Sequence, residues 1–398
     1  MKICFPFIAQ PHQTFHALPI ALELARRHDD AEVHIAAAAP AHLSFLRHIA
    51  RLYYPDAHPV IEPLGLPSLV GRRIARPAQA IAPKLLALLY NVRYFSSFDA
   101  LVVPERTTLI LKHILKRPRF IWTRHGAGDR ASGFQQKISQ FDFVLMAGGK
   151  IEQRLQEEHV ISAGHYATGV YAKFDLVQRM PHPRPFLNGR PTILYNPHFR
   201  QGLSSWPVWG RHVLNFFAAH SRYNLIFAPH IRLFYPPRRD KCAAFKPYEG
   251  LDHMRIDLGS LAAADMTYTL GADLYLGDVS SQVAEFLTRP RPCLFFNAHK
   301  IDWRGTEDFR FWTLGPVIED IEDLEAGLNE AFRTHDNYRE RQAVYIHDTF
   351  GDLDGPTAPR GADAIMAYLR SEIPPSAAIA PRIGHSAPSS PAQASDRR

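Results

Sequence analysis

Short apolar runs recur along the chain, each broken by a polar turn and followed by a stretch with helical spacing. Met1-Lys2-Ile3-Cys4-Phe5-Pro6-Phe7-Ile8-Ala9-Gln10 reads as a first strand, Pro11-His12-Gln13-Thr14 as a turn with Thr14 as a helix cap, and His16 to Arg27 as a helix ending in positive charge. Val33–Ala38, Ala100–Val103, Phe120–Thr123 and Phe143–Ala147 repeat the apolar pattern with helical stretches between them. From about Lys173 to Pro191 the pattern gives way to Met180-Pro181-His182-Pro183-Arg184-Pro185 and Asn188-Gly189-Arg190-Pro191, which punctuate rather than pack. A second series follows at Thr192–Tyr195, Asn224–Phe227, Asp273–Leu276 and Pro292–Phe296.

Strands alternating with helices predict parallel sheets covered on both faces. The expected fold is α/β: two facing, Rossmann-like, doubly wound domains, residues 1–180 and 181–373, with a ligand cleft between the carboxyl ends of their strands. Residues 374–398 are rich in Pro, Ala and Ser and read as a disordered tail.

Composition changes this picture little. The chain has 398 residues, 46% hydrophobic and 21% charged, which suits a globular protein of two cores. Its formal charge of +7 favours anionic partners such as nucleotides, phosphate polymers or an acidic membrane surface. The charge is dispersed and no nucleic-acid-binding module is recognisable, so a nucleic-acid partner is not expected. Cys4, Cys242 and Cys293 are scattered and odd in number, which argues for a reducing compartment; with no signal-peptide pattern and no membrane-length apolar run, a cytoplasmic location is expected.

Candidate chemistry collects in the turns that follow the apolar runs. In Leu276-Gly277-Asp278-Val279-Ser280-Ser281, a strand passes into a helix through an acidic, twin-serine turn, and Val283, Phe286 and Leu287 share one face of that helix. Such a turn can hold a phosphate; the alternative is that Ser280 only caps the helix and Asp278 solvates a loop. Thr123-Arg124-His125-Gly126-Ala127-Gly128-Asp129-Arg130 places an imidazole between a strand end and glycines, where it could take a proton from an acceptor hydroxyl or merely tie down the loop. Tyr195–Arg200 and Phe227–Arg232 supply Arg200 and His230, suited to the oxygens of a diphosphate. His12 and His16 have a helical metal-pair spacing, yet no carboxylate or third ligand is evident nearby, so neither a metal nor another cofactor is expected. Gly148-Gly149-Lys150 lacks the spacing of a P-loop. Arg72–Pro77 followed by Lys84–Phe95 mixes basic and bulky apolar residues; it fits a membrane-surface patch, and equally a core helix using Leu85, Leu88, Leu89 and Val92.

Taken in order, these turns resemble the CDP-glycerol glycerophosphotransferase family, which includes teichoic-acid primases and polymerases and has the GT-B fold. The resemblance runs from His125-Gly126 through Gly169–Asp175, Tyr195–Arg200, His230 and Asp278–Ser281 to Pro292–Phe296. Val279 stands where the family has tyrosine, His198 where threonine is common, and Pro229 precedes His230 instead of following it. The resemblance implies a transferase that moves a phosphoalditol from a CDP-activated donor to a hydroxyl of a lipid-linked or polymeric glycan at the cytoplasmic face. His125 and His230 would be catalytic, and Arg200, Asp278, Ser280 and Ser281 would bind the donor. Competing readings are a GT-B glycosyltransferase using a nucleotide sugar, a UDP-N-acetylglucosamine 2-epimerase, for which only Asp129, Asp278 and Glu285 are obvious carboxylates, and a non-catalytic nucleotide- or glycan-binding protein.

Overall fold

A strand covered on both faces has no solvent side, so its sequence is a continuous apolar run. Ala100–Val103, Asn224–Phe227 and Leu274–Gly277 are buried at every position. A computed structural model describes residues 1–8, 10–68, 70, 83–128, 136–234 and 242–370. Asp129, Arg130, the basic run Arg72–Pro77 and the tail 374–398 lie outside them.

The first sheet comprises β1 (Lys2–Phe7), β2 (Glu32–Ala37), β3 (Val60–Pro63), β4 (Ala100–Val103), β5 (Arg119–Thr123), β6 (Phe143–Leu145) and β7 (Tyr166–Ala167). The second comprises β8 (Thr192–Asn196), β9 (Asn224–Phe227), β10 (Met254–Ile256), β11 (Leu274–Gly277), β12 (Cys293–Phe296) and β13 (Val317–Ile318). Their orders are β3-β2-β1-β4-β5-β6-β7 and β10-β9-β8-β11-β12-β13, and the paired strands are parallel throughout. The strand order reverses between β1 and β4 and between β8 and β11. A crevice opens beyond the carboxyl ends of the strands at such a switch point.

Among the described residues, the buried apolar side chains form three clusters. One backs the outer face of the first sheet, one the outer face of the second, and the third includes residues of both halves, among them Leu101, Trp122, Tyr171, Tyr275 and Phe286. The helix Ala358–Leu369 returns to the first sheet: Ala358, Ala362, Ile365 and Met366 pack in the cluster that holds Leu18, Ile20 and Leu22. Asp175 fixes its start by accepting hydrogen bonds from the Thr357 amide (2.8 Å) and the Ala358 amide, and Arg27 pairs with Asp363 at 2.5 Å. This helix therefore completes the apolar cluster on the first sheet.

Two local expectations change. Thr14 is the first residue of the helix Thr14–Arg27 instead of its cap, and its hydroxyl bonds the buried His42 ring at 2.7 Å. In the helix Lys84–Tyr90, Leu88 is buried, whereas Leu85, Leu89 and Tyr90 are exposed, so only part of the predicted core face is used. Among the described residues, no helix is long and apolar enough to cross a membrane.

Candidate active site

Loops from both halves meet where the two sheets face each other. Those after β1, β4 and β5 supply Gln10–Gln13, Arg106 and Arg124–Gly128; those after β8, β9 and β11 supply His198–Arg200, Pro229–Arg232 and Val279–Gln282. They enclose a cavity of about 680 Å³. Its described lining carries six cationic side chains, Lys84, Arg106, Arg124, Lys173, Arg200 and Arg232, against one carboxylate, Glu285. His125, His230, Arg200, Ser280 and Ser281 all lie on it.

The proton state of His125 follows from its neighbours. Nδ1 faces the Pro104 carbonyl, which can only accept, so Nδ1 carries the hydrogen. Nε2 lies 3.2 Å from the Gln13 amide nitrogen and accepts from it. Desolvation inside the cleft lowers the pKa of His125 to about 4; the Pro104 carbonyl opposes this shift, and the Arg124 charge adds to it. The ring is therefore neutral near pH 7, with a lone pair at Nε2, as a general base requires.

The opposite wall has the complementary arrangement. His230 Nδ1 accepts from the Arg232 backbone amide at 3.2 Å. Desolvation first, then the charge of Arg232, lowers its pKa to about 4, so the neutral ring carries its hydrogen on Nε2. Phe199 packs between them: its ring centroid is 4.6 Å from that of His230 and 4.2 Å from the Arg232 guanidinium. Arg200 is exposed at the rim. Ser281 is exposed, while Ser280 is buried and its hydroxyl accepts from the Gln282 amide at 3.3 Å. The following helix is a single short turn, Gln282–Phe286.

Gly126 and Gly128 explain how the His125 loop reaches this turn. A Cβ on Gly126 would lie 3.3 Å from Ser281 Oγ, and one on Gly128 would lie 3.2 Å from Ser281 Cβ. Gly126 also has φ +79°, a conformation that side chains disfavour.

Asp278 does not serve as the sequence suggests. It is buried away from the cavity lining, and both oxygens are used internally. One accepts from the His198 (2.8 Å) and Val279 (2.6 Å) amides, the other from the Ser205 amide (2.6 Å) and hydroxyl (2.9 Å). Asp278 thus ties the loops after β8 and β11 together. Burial pushes its carboxyl up to about 6, against the pull of these hydrogen bonds.

Glu285 is likewise committed. It accepts from Lys173 Nζ at 2.7 Å and from the Tyr171 hydroxyl at 2.7 Å, which joins the two halves at the cleft floor. Among the described residues, no cluster of three or more His, Cys, Asp or Glu could hold a metal ion. His12 and His16 instead stand edge-on to His125, each with a centroid separation of 6.4 Å.

Sequence reasoning missed Gln13, Lys84, Arg106, Lys173 and Arg232 as site residues. Position relative to the strands could have found Gln13 and Arg106, because each lies in the turn directly after an apolar run. Lys173 carries no such signal, since it reaches the cleft from the connecting segment.

No protein-family model matches the chain, and no curated sequence matches it either. Solved structures match its fold over nearly its whole length. A Listeria monocytogenes protein assigned as a UDP-N-acetylglucosamine 2-epimerase superposes with a TM-score of 0.61 at 14% identity, covering 93% of this chain and 97% of that one. The wall teichoic acid polymerase TagF gives 0.60 at 14% identity over 94% and 90%. The UDP-GlcNAc 2-epimerase of Neisseria meningitidis, bound to UDP-GlcNAc, gives 0.58 at 11% identity over 93% and 100%. The fold is GT-B, two Rossmann-like domains about a cleft.

Proposed function

We infer that the protein transfers a phosphoalditol such as glycerol phosphate from a CDP-activated donor to a hydroxyl of a glycan acceptor. The observation that carries this reading is the tautomer pair across the cleft: His125 Nε2 presents a lone pair and His230 Nε2 a hydrogen, inside a lining of cations. The acceptor oxygen would attack the phosphorus that bears the alditol, and the bond from that phosphorus to CMP would break. His125 would take the hydroxyl proton. The His230 N–H, Arg200, Arg232 and the serines 280 and 281 would stabilise the charge that develops on the departing CMP, where transition-state binding accelerates most. TagF, among the fold neighbours, is a wall teichoic acid polymerase, which agrees with this class of chemistry.

The epimerase neighbours suggest sugar chemistry instead, but the one carboxylate on the described lining, Glu285, is held by Lys173 and Tyr171. A nucleotide-sugar transferase would use the same cationic lining for its diphosphate. Phosphorus NMR separates the readings: with CDP-glycerol, a panel of nucleotide sugars and a membrane extract as acceptor, CMP release that His125→Ala abolishes is expected. Release of a nucleoside diphosphate would make the protein a glycosyltransferase. Donor binding without any product would make it a binding protein.

A further inference from the structure

The wall that carries His125 has more polar atoms than its own hydrogen bonds use. Gln13 Oε1, His12 Nδ1 and His16 Nδ1 are buried without a partner, on side chains that line the cleft. Gln13 is 8% exposed and His16 6%. Buried polar groups in folded proteins are almost always paired, so three orphans within five residues point to a ligand that completes them. They also surround the base, since the Gln13 amide sits on His125 Nε2 and the rings of His12 and His16 flank it.

The chemistry of these groups narrows the ligand. Burial holds the pKa of both His12 and His16 well below the ordinary imidazole value, with further lowering from His125 and Lys173, so both rings are neutral. A neutral imidazole offers one donor and one acceptor, and Gln13 Oε1 only accepts. A fully ionised phosphate ester or a carboxylate would leave Gln13 Oε1 unmet, because neither carries an O–H to donate. An alcohol both donates and accepts, and two adjacent hydroxyls can reach Gln13 and a ring together.

We propose that Gln13, His12 and His16 form a subsite for a neutral vicinal-diol end of a polyol or sugar, with one hydroxyl replacing the Gln13 amide on His125 Nε2. The neighbouring hydroxyl donates to Gln13 Oε1, and the two hydroxyl oxygens bond the rings of His16 and His12. This rests on the reading of His125 as the base and names the acceptor class for that site. Gln13 acts as a positioning residue: its amide marks the place of the reactive hydroxyl until the acceptor arrives.

Side-chain nitrogen NMR of the full chain tests the subsite without turnover, using glycerol as the probe. Saturable shifts at the His125 and His16 rings are expected, with affinity at least tenfold weaker in Gln13→Ala and in His16→Phe. Absence of saturable shifts in the wild type, or displacement of glycerol from these rings by inorganic phosphate, overturns the proposal. In the transfer assay, Gln13→Ala should raise the acceptor KM at least tenfold and leave the donor KM within twofold; a parallel rise in both also overturns it. Glycerol binding at these rings in a protein that never releases CMP would refute the transferase reading and leave the subsite standing.

Discussion

Replacing Gln13 by Glu puts a carboxylate where an amide now lies 3.2 Å from His125 Nε2. In the wild type the His125 pKa is lowered to about 4. If this ring is the base, the acid limb of kcat/KM for the free enzyme lies near that value. At pH 5.5 a ring of pKa about 4 is roughly 97% free base, whereas an unperturbed ring at about 6.5 would be roughly 9% free base. Wild-type kcat/KM should therefore stay nearly flat down to pH 5.5. A unit negative charge at the Gln13 position is worth about 5 kcal/mol at an effective dielectric of about 20. Solvent entry at the cleft mouth removes about half, which leaves a rise of about two pKa units at roughly 1.4 kcal/mol each. The limb of Gln13→Glu should then appear near pH 6, and its kcat/KM at pH 5.5 should fall about fourfold below its own plateau. Bound donor carries phosphate charge that favours the imidazolium, so the limb in kcat should lie above that in kcat/KM. The assay is CMP release from CDP-glycerol between pH 5 and 8. A wild-type limb at pH 6.5 or above, or a variant limb displaced by less than one unit, would refute the reasoning.

Gly126→Ala forces a side chain into φ +79° and against Ser281 Oγ, so it should cost about 1–2 kcal/mol in denaturant unfolding and lower transfer; wild-type stability and rate would contradict the close approach. Lys173→Met leaves Glu285 buried without its charge partner and should destabilise by about 3–5 kcal/mol, while Lys173→Met with Glu285→Leu should recover at least half, as read by thermal unfolding. Burial lowers the pKa of His42 to about 4, below its unfolded value, so its contribution is complete above about pH 6.5 and fades as pH falls towards 4. Between pH 7.5 and 4.5 that loss amounts to about 2–3 kcal/mol, and His42→Gln should reduce the acid-induced loss by that amount; an unchanged slope of stability against pH would remove His42 as a cause.

The strands that the sequence reveals and those it hides differ in one physical respect. Ala100–Val103 and Asn224–Phe227 coincide with their predicted runs, because both faces of these strands are covered. Val60–Pro63, Tyr166–Ala167, Met254–Ile256 and Val317–Ile318 had no apolar run to mark them, and they are the outermost strands of their sheets. An edge strand is short and partly solvated, so neither a run nor an alternation forms. The candidate site follows the same logic. His125, Arg200, His230, Ser280 and Ser281 were legible because each directly follows a recognisable strand, and the structure brings them to one cleft. Asp278 stands in an equally good position, yet its side chain turns inward to four hydrogen bonds, a direction that no local pattern encodes.

Local chemistry alone determined the alternation of buried strands and helices, the polar turns at the strand ends and the surplus of positive charge, since each depends on residues near one another in the chain. Only the tertiary structure decided the proton states of His125 and His230, which require the Pro104 carbonyl, the Gln13 amide and the Arg232 amide at fixed distances. It also decided that Lys173 meets Glu285 across 112 residues and that the last helix returns to the first sheet. Hydrogen-bond direction and desolvation depend on what surrounds an atom in space, and a linear pattern does not carry that information.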